Sequence, residues 1–347
     1  MVHSSASKRP LVHHVIRAGI FVLAIAAAVV FVRLLTNMDW SVVDRASGKA
    51  LTEILILTIL ETLTYTTMIC WLLRRSGGKA SLWNSYLVLT ASLSASYVAA
   101  MQVGVPLRIY LYHRVMNVSA HMGTALMAVE YFAGTMASAF IATMTIPFLF
   151  PAVGIFVPGL LISVLLLAAG TFYLIQPDQL LSLQNRLGRY RRIAACVHFM
   201  HRVRAGLGQL SVLTTIGTVG FFVIMLVLQA MRLELVLRIF GHAPPVLTLL
   251  GVLTIAGTLG NASMLPMGIG VRDVSFVFLL LQLGLSHEVA ISAAVIQRLF
   301  APGWPLLLGL ISAQLLGVKT LLKNRRDDRY LVSSANDPVV NHRVRGK

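Results

Sequence analysis

Apolar residues fall in nine long runs along the chain, divided by short polar segments rich in Arg and Lys. The runs are Ile16–Leu35, Leu51–Leu73, Leu82–Val103, Ser119–Pro147, Ala152–Gln176, Gln209–Met231, Val246–Leu265, Arg272–Ser286 and Glu288–Leu316. A helix rises about 1.5 Å per residue and a bilayer's hydrocarbon core is about 30 Å thick, so most of these runs are long enough to cross it. The first run follows a basic leader (Lys8, Arg9, Arg17) and lacks a small-x-small cleavage pattern, which predicts a retained span rather than a removed signal.

The cations decide how many runs cross. They gather in the leader, after the second run (Arg74, Arg75, Lys79), between the fifth and sixth (Arg186 to Arg204), and in the tail (Lys319 to Lys347). Lys and Arg are retained on the cytoplasmic side. Nine crossings would put the Arg186–Arg204 loop and the tail outside. Two re-entrant hairpins repair both placements. Leu82–Ser119 would enter from the cytoplasm and turn near Gly104-Val105-Pro106; Val246–Ser286 would enter from the opposite face and turn near Pro266-Met267-Gly268-Ile269-Gly270. Arg272–Ser286 spans only about 22 Å as a helix, too short to cross. Leu82–Val103 is long enough to cross, but its Ser85, Thr90, Ser92, Ser94 and Ser96 argue for burial against protein.

The expected fold is therefore an all-α polytopic membrane protein of six full spans plus two re-entrant helical hairpins. Each half reads as two spans, a hairpin and one span, so the second half (residues 152–316) is inverted relative to the first (residues 16–147), a common transporter plan. Residues 1–15 form a cytoplasmic N-terminal tail, 16–316 the transmembrane domain, and 317–347 a basic cytoplasmic tail, partly disordered. The expected location is the cell (inner or plasma) membrane, with both termini cytoplasmic.

Composition agrees. The chain is 57% apolar and 12% charged with mean hydropathy +0.81, against about 45–50% and 25% in globular proteins. It cannot cover a water-facing surface, which excludes a cytosolic domain. Cys70 and Cys196 make no disulfide framework and no zinc spacing. The net charge of +17 flanks the spans, so it suits anionic lipid headgroups and not nucleic acid.

Ionisable residues inside a span are costly and face a cavity or each other. Glu61, Glu130 and Arg298 each lie near the middle of a run, and Arg108, Arg272 and Asp273 follow the two expected turns. These three arginines and three carboxylates would share one level, with formal sum zero. They serve either as ion pairs that cement the bundle or as a headgroup site. For the second reading, Gly268 and Gly270 would leave backbone N–H groups open at a helix N-terminus, which favours an anion, and arginine's fork suits phosphate. His113, Arg114, Tyr110 and Tyr112 suit interfacial anchoring. His287-Glu288 and Cys196-Val197-His198 lack partners for a metal, and Gly268-Ile269-Gly270 lacks the third glycine of a dinucleotide loop. No cofactor is expected.

Gly104-Val-Pro-Leu-Arg108-Ile-Tyr110-Leu, Glu130, Pro266-Met-Gly268-Ile-Gly270-Val-Arg272-Asp273 and Arg298, in that order, resemble the transmembrane region of the lysylphosphatidylglycerol synthases over roughly residues 15 to 325. Asp273 stands where the family usually has Glu, and Tyr131 follows Glu130 where many members have Arg. The resemblance implies a flippase-like, lipid-translocating module. In full-length synthases a separate soluble domain carries aminoacyl transfer; this chain ends at Lys347, so a stand-alone member without that domain, and not an enzyme, is expected.

The leading expectation is a binder and translocator of a polar-headed phospholipid or lipid-linked intermediate, with Arg108, Arg272 and Arg298 holding phosphate. Glu61, Glu130 and Asp273 would orient them or meet a headgroup amine. Two alternatives are a membrane-embedded lipid or glycosyl transferase using Glu130 or Asp273 as base, and a scaffold that recruits a cytoplasmic synthase or glycosyltransferase through the Arg186–Arg204 loop.

Overall fold

The computed structural model describes residues 47–99, 101–150, 208, 210–263, 268 and 270–317. They form helices α1 (Gly48–Arg75), α2 (Leu82–Ala99), α3 (Met101–Met116), α4 (Ala120–Leu149), α5 (Val212–Ile239), α6 (Val246–Ala262), α7 (Val271–Gln282) and α8 (His287–Arg298). α8 runs through a π-helical turn, Leu299–Gly303, and continues helically to Gly317. Among the described residues there is no strand.

Among the described residues, four helices are long and apolar enough to cross a membrane: α1, α4, α5 and the continuous segment His287–Gly317. They coincide with four of the six expected crossings. The other two, Ile16–Leu35 and Ala152–Gln176, lie outside the described residues, as do the Arg186–Arg204 loop and the tail. Leu213, Ile216, Phe278 and Leu307 are each more than half exposed on these helices and their neighbours, as side chains facing hydrocarbon should be. Polar starts set the helix ends. Ser47 Oγ accepts from Ala50 N–H at 3.2 Å, Ser211 Oγ from Thr214 N–H at 3.2 Å and Ser286 Oγ from Val289 N–H at 3.4 Å, each satisfying a backbone donor that a first turn leaves unpaired.

α2 and α3 double back on each other. Arg108 reaches Ser92, and a Cβ on Gly104 would strike Ser96 Oγ at 1.7 Å, so the pairing is antiparallel and closes near residue 100. The turn expected at Gly104-Val105-Pro106 is thereby corrected: all three lie within α3. Gly104 permits helix–helix contact instead of breaking the chain, and Pro106, which removes one backbone donor, is tolerated inside the helix. α6 and α7 pair likewise: Gly260 meets Arg272, and Gly268, at φ +63°, stacks on Gly260. Here the expected turn and the observed break between Ala262 and Val271 agree.

The order long helix, paired short helices, long helix thus occurs twice. Each pair has its own apolar core, one built on α2 and α3 around Leu87, Leu89 and Tyr112, the other on α6 and α7 around Leu249, Val252 and Leu280. Each pair is also covered by the last long helix of the other half. Gly251 of α6 admits Thr145 of α4, with only 2.6 Å from its notional Cβ to Thr145 Oγ1. Gly309, beyond α8, lies against Ser94 of α2, whose hydroxyl donates to Pro305 O at 3.0 Å. Small residues allow this close approach without a hydrophobic drive between helices.

Candidate functional site

Among the described residues, four arginines and three carboxylates stand inside the bundle. Arg108 on α3 pairs with Glu130 on α4 at 2.5 Å, and both side chains are almost wholly buried. The same Glu130 accepts from the Tyr65 hydroxyl; Arg108 Nε donates to Ser92 Oγ at 2.8 Å, and its guanidinium lies 5.8 Å from the Tyr65 ring centre. This first cluster is neutral, and its charges are held from several sides.

The second cluster joins the halves. Arg232 on α5 pairs with Glu61 on α1 at 2.5 Å, and Gln229 Nε2 donates to the same carboxylate at 2.6 Å. Arg232 Nε also donates to Gln297 Oε1 at 3.3 Å. On α7, Asp273 takes two hydrogen bonds from Arg298, at 2.8 and 2.9 Å, the planar fork that fits a carboxylate. Arg272 has no hydrogen bond or ion pair among the described residues. It lies in the field of the Arg298 and Arg232 cations as well as that of Asp273. Tyr97 of α2 stands in the fields of Arg272, Glu61, Arg298 and Arg108 together, so the two clusters are neighbours.

Spaces open among and beside these groups. A cavity of about 160 Å³ has a polar side of Thr58, Glu61, Tyr65, Tyr97 and Gln229 and an apolar side that includes Leu89, Phe222 and Met225. It shares Thr62 with an apolar groove of about 530 Å³ between α1, α2 and the end of the last long helix, walled by Leu63, Trp83, Trp304 and Ile311. A third, narrow cleft of about 10 Å³, room for about one water, lies among Arg272, Asp273, Gln297 and Arg298. Ala301, in the π-helical turn, borders both the cavity and the cleft. Such turns recur at functional positions.

Against the sequence expectation, two corrections follow. The formal sum is not zero: Arg232 adds a fourth guanidinium and takes Glu61 as its partner. The run assigned to this helix stopped at Met231, one residue short, although Leu233, Val236 and Leu237 continue the apolar period and are fully buried. Nor is the backbone at Gly270 open. Its N–H donates to Asp273 Oδ2 at 3.2 Å, so Asp273 caps α7 and pairs with Arg298 at once. Gly268 and Gly270 serve geometry: both have positive φ, and Gly268 is seated on Gly260 where a Cβ would be 2.8 Å from the opposite Cα. Away from the clusters, His113 Nδ1 meets Val118 O at 3.1 Å and Arg114 Nε donates to the Tyr110 hydroxyl at 3.4 Å, contacts that tie down the end of α3. Among the described residues, no three of His, Cys, Asp and Glu gather as metal ligands.

Crossing helices, paired short helices between them and arginine–carboxylate pairs within the bundle define an integral, multi-pass membrane protein. The sequence model of the lysylphosphatidylglycerol synthase TM region matches residues 17–309, and the chain belongs to that family. No curated protein matches the chain significantly.

Proposed function

We propose that this protein binds a polar-headed lipid, a phospholipid or a lipid-linked intermediate, and carries its headgroup across the membrane. The observation that carries the reading is the shared wall at Thr62: a charged cavity and an apolar groove adjoin on one side of α1. An amphiphile suits such a pair of spaces, headgroup in the cavity and acyl chain in the groove. Paired short helices entering from opposite leaflets as re-entrant hairpins, and halves related as an inverted repeat, would let the cavity open to each side in turn by rocking. The basic clusters of the sequence support a place in the cell membrane with cytoplasmic termini and basic loops on anionic headgroups. A cytoplasmic synthase or glycosyltransferase is a fitting supplier of the lipid.

A non-catalytic role is favoured over a transferase. Glu130 and Asp273, the carboxylates that could act as base, are each engaged by an arginine, which turns them to that partner instead of to a substrate hydroxyl.

The test is lipid scrambling in vesicles that carry the purified protein and a headgroup-labelled phospholipid. Wild type should equilibrate the label between leaflets faster than protein-free vesicles. Thr62→Trp, which fills the junction of cavity and groove, should return the rate to the protein-free value while the protein stays folded. Equal rates with and without protein for phospholipid and polyprenyl-phosphate probes alike would sink the reading.

A further inference from the structure

We infer that Arg272, Gln297 and Arg232 together form an acceptor site for the lipid-borne phosphate of a net-anionic lipid. The inference deepens the lipid reading above and rests on it. Its ground is an imbalance of donors. Gln297 is 5% exposed and Arg232 fully buried, and each has a side-chain nitrogen, Nε2 of Gln297 and Nη2 of Arg232, that finds no acceptor among the described residues. The two residues are adjacent, because Arg232 Nε donates to Gln297 Oε1. Gln297 also lines the narrow cleft together with Arg272, whose partly buried guanidinium has no hydrogen bond or ion pair among the described residues. A buried donor left unmade carries a desolvation penalty, and here several such donors lie side by side.

Among the described residues, every unmade side-chain group in this corner is a donor, and the charge has the matching sign. Arg232 and Arg298 are balanced by Glu61 and Asp273, which leaves the Arg272 charge over. A ligand that completes the site must bring lone pairs and negative charge together. The phosphate of a lipid does both, and a guanidinium can take two of its oxygens at once. The sign also selects among headgroups. A zwitterionic headgroup brings a compensating amine, and an aminoacylated headgroup brings more positive charge to a corner already in excess. A net-anionic headgroup neutralises it. The cleft now has room for about one water, so a phosphate must widen it. The wall that can yield is the π-helical turn, where Ala301 and Pro302 face Arg272 and Asp273.

The experiment titrates the full chain, in nanodiscs of neutral lipid, with phosphatidylglycerol, polyprenyl phosphate, phosphatidylethanolamine, lysylphosphatidylglycerol and inorganic phosphate. Bound lipid is read by native mass spectrometry and by the shift in melting temperature. Wild type should bind an anionic lipid at least tenfold more tightly than the zwitterionic or cationic ones. Arg272→Gln should lose about ten- to hundredfold of that affinity, the worth of one charge-assisted hydrogen-bonded contact, and Arg272→Lys should keep part of it. Gln297→Leu should weaken binding as well. If that variant fails to fold, Arg272→Gln carries the test, because removing Arg272 strands no partner. Tighter binding of the cationic lipid, or an unchanged preference in Arg272→Gln, overturns the phosphate site but leaves lipid binding standing. Protection by inorganic phosphate equal to that by phosphatidylglycerol overturns the lipid-borne source. Failure of every lipid to bind saturably would end this inference and the reading beneath it.

Discussion

Arg108 and Arg272 lie on the returning helices of the two paired units, and the protein treats them in opposite ways. Arg108 is enclosed: Glu130, Ser92 and the Tyr65 ring meet it from different helices, and its charge is cancelled on the spot. Arg272 stands at the start of α7 with Asp273 beside it, but that carboxylate is turned to Arg298 and to its own helix start. The same residue type therefore meets two settings. A carboxylate and a hydroxyl converge on Arg108 and fasten it, whereas Arg272 stands among other cations and unmet donors, the setting on which the phosphate proposal rests. Arg108 is buried and Arg272 only partly so, and the acceptors around each guanidinium differ as well.

The contrast can be broken by single substitutions. The largest effect is expected at the enclosed pair. Arg108→Leu should destabilise the folded protein by about 3–5 kcal/mol, because Glu130 is left charged and buried, whereas Arg108→Met with Glu130→Leu should recover most of that loss. Thermal melts of the purified protein in detergent give the comparison. Arg272→Gln, by contrast, should melt at or above wild type, since it removes a partly buried charge and strands no partner among the described residues. A loss at Arg272 as large as that at Arg108 would erase the distinction between them. Next in size, Gly268→Ala should cost about 1–3 kcal/mol, from a positive φ that alanine resists and from the 2.8 Å approach to Gly260. The effect should fall on lipid binding as well, because Arg272 leans on the same glycine. The smallest difference separates two helix starts. Ser286→Ala removes the bond to Val289 N–H and should cost about 1 kcal/mol. Ser119 opens α4 without a capping bond, so Ser119→Ala should change stability by about 0.5 kcal/mol or less.

Much of the frame was legible from the periodicity of apolar residues. The long helices α1, α4, α5 and the last one lie where apolar runs predict them, and the glycine-rich break before Arg272 is where the second pair turns. The first turn was misplaced for a physical reason. Gly104 and Pro106 are breakers in water, but here the one makes room for Ser96 and the other sits in a helix held by its neighbours. No breaker marks the true reversal beside Ala99. Among the charges, Glu61, Glu130 and Arg298 were found by their depth in apolar runs. Arg232 was missed because it stood at the edge of one, and a run ended at the first charge hides charges that lie just past it. The pairings themselves could not be read. Glu61 and Arg232 are 171 residues apart, and only the packing of α1 along α5 brings them together.

That pairing has a mechanical meaning. On the lipid-carrier reading proposed above, it would be a latch between the two halves of the molecule. Any swing that parts α1 from α5 at this depth would draw the Glu61 carboxylate away from its guanidinium and leave it Gln229. A headgroup that offers its own charge at that moment would act as the key, so the barrier to motion would fall only when cargo is aboard.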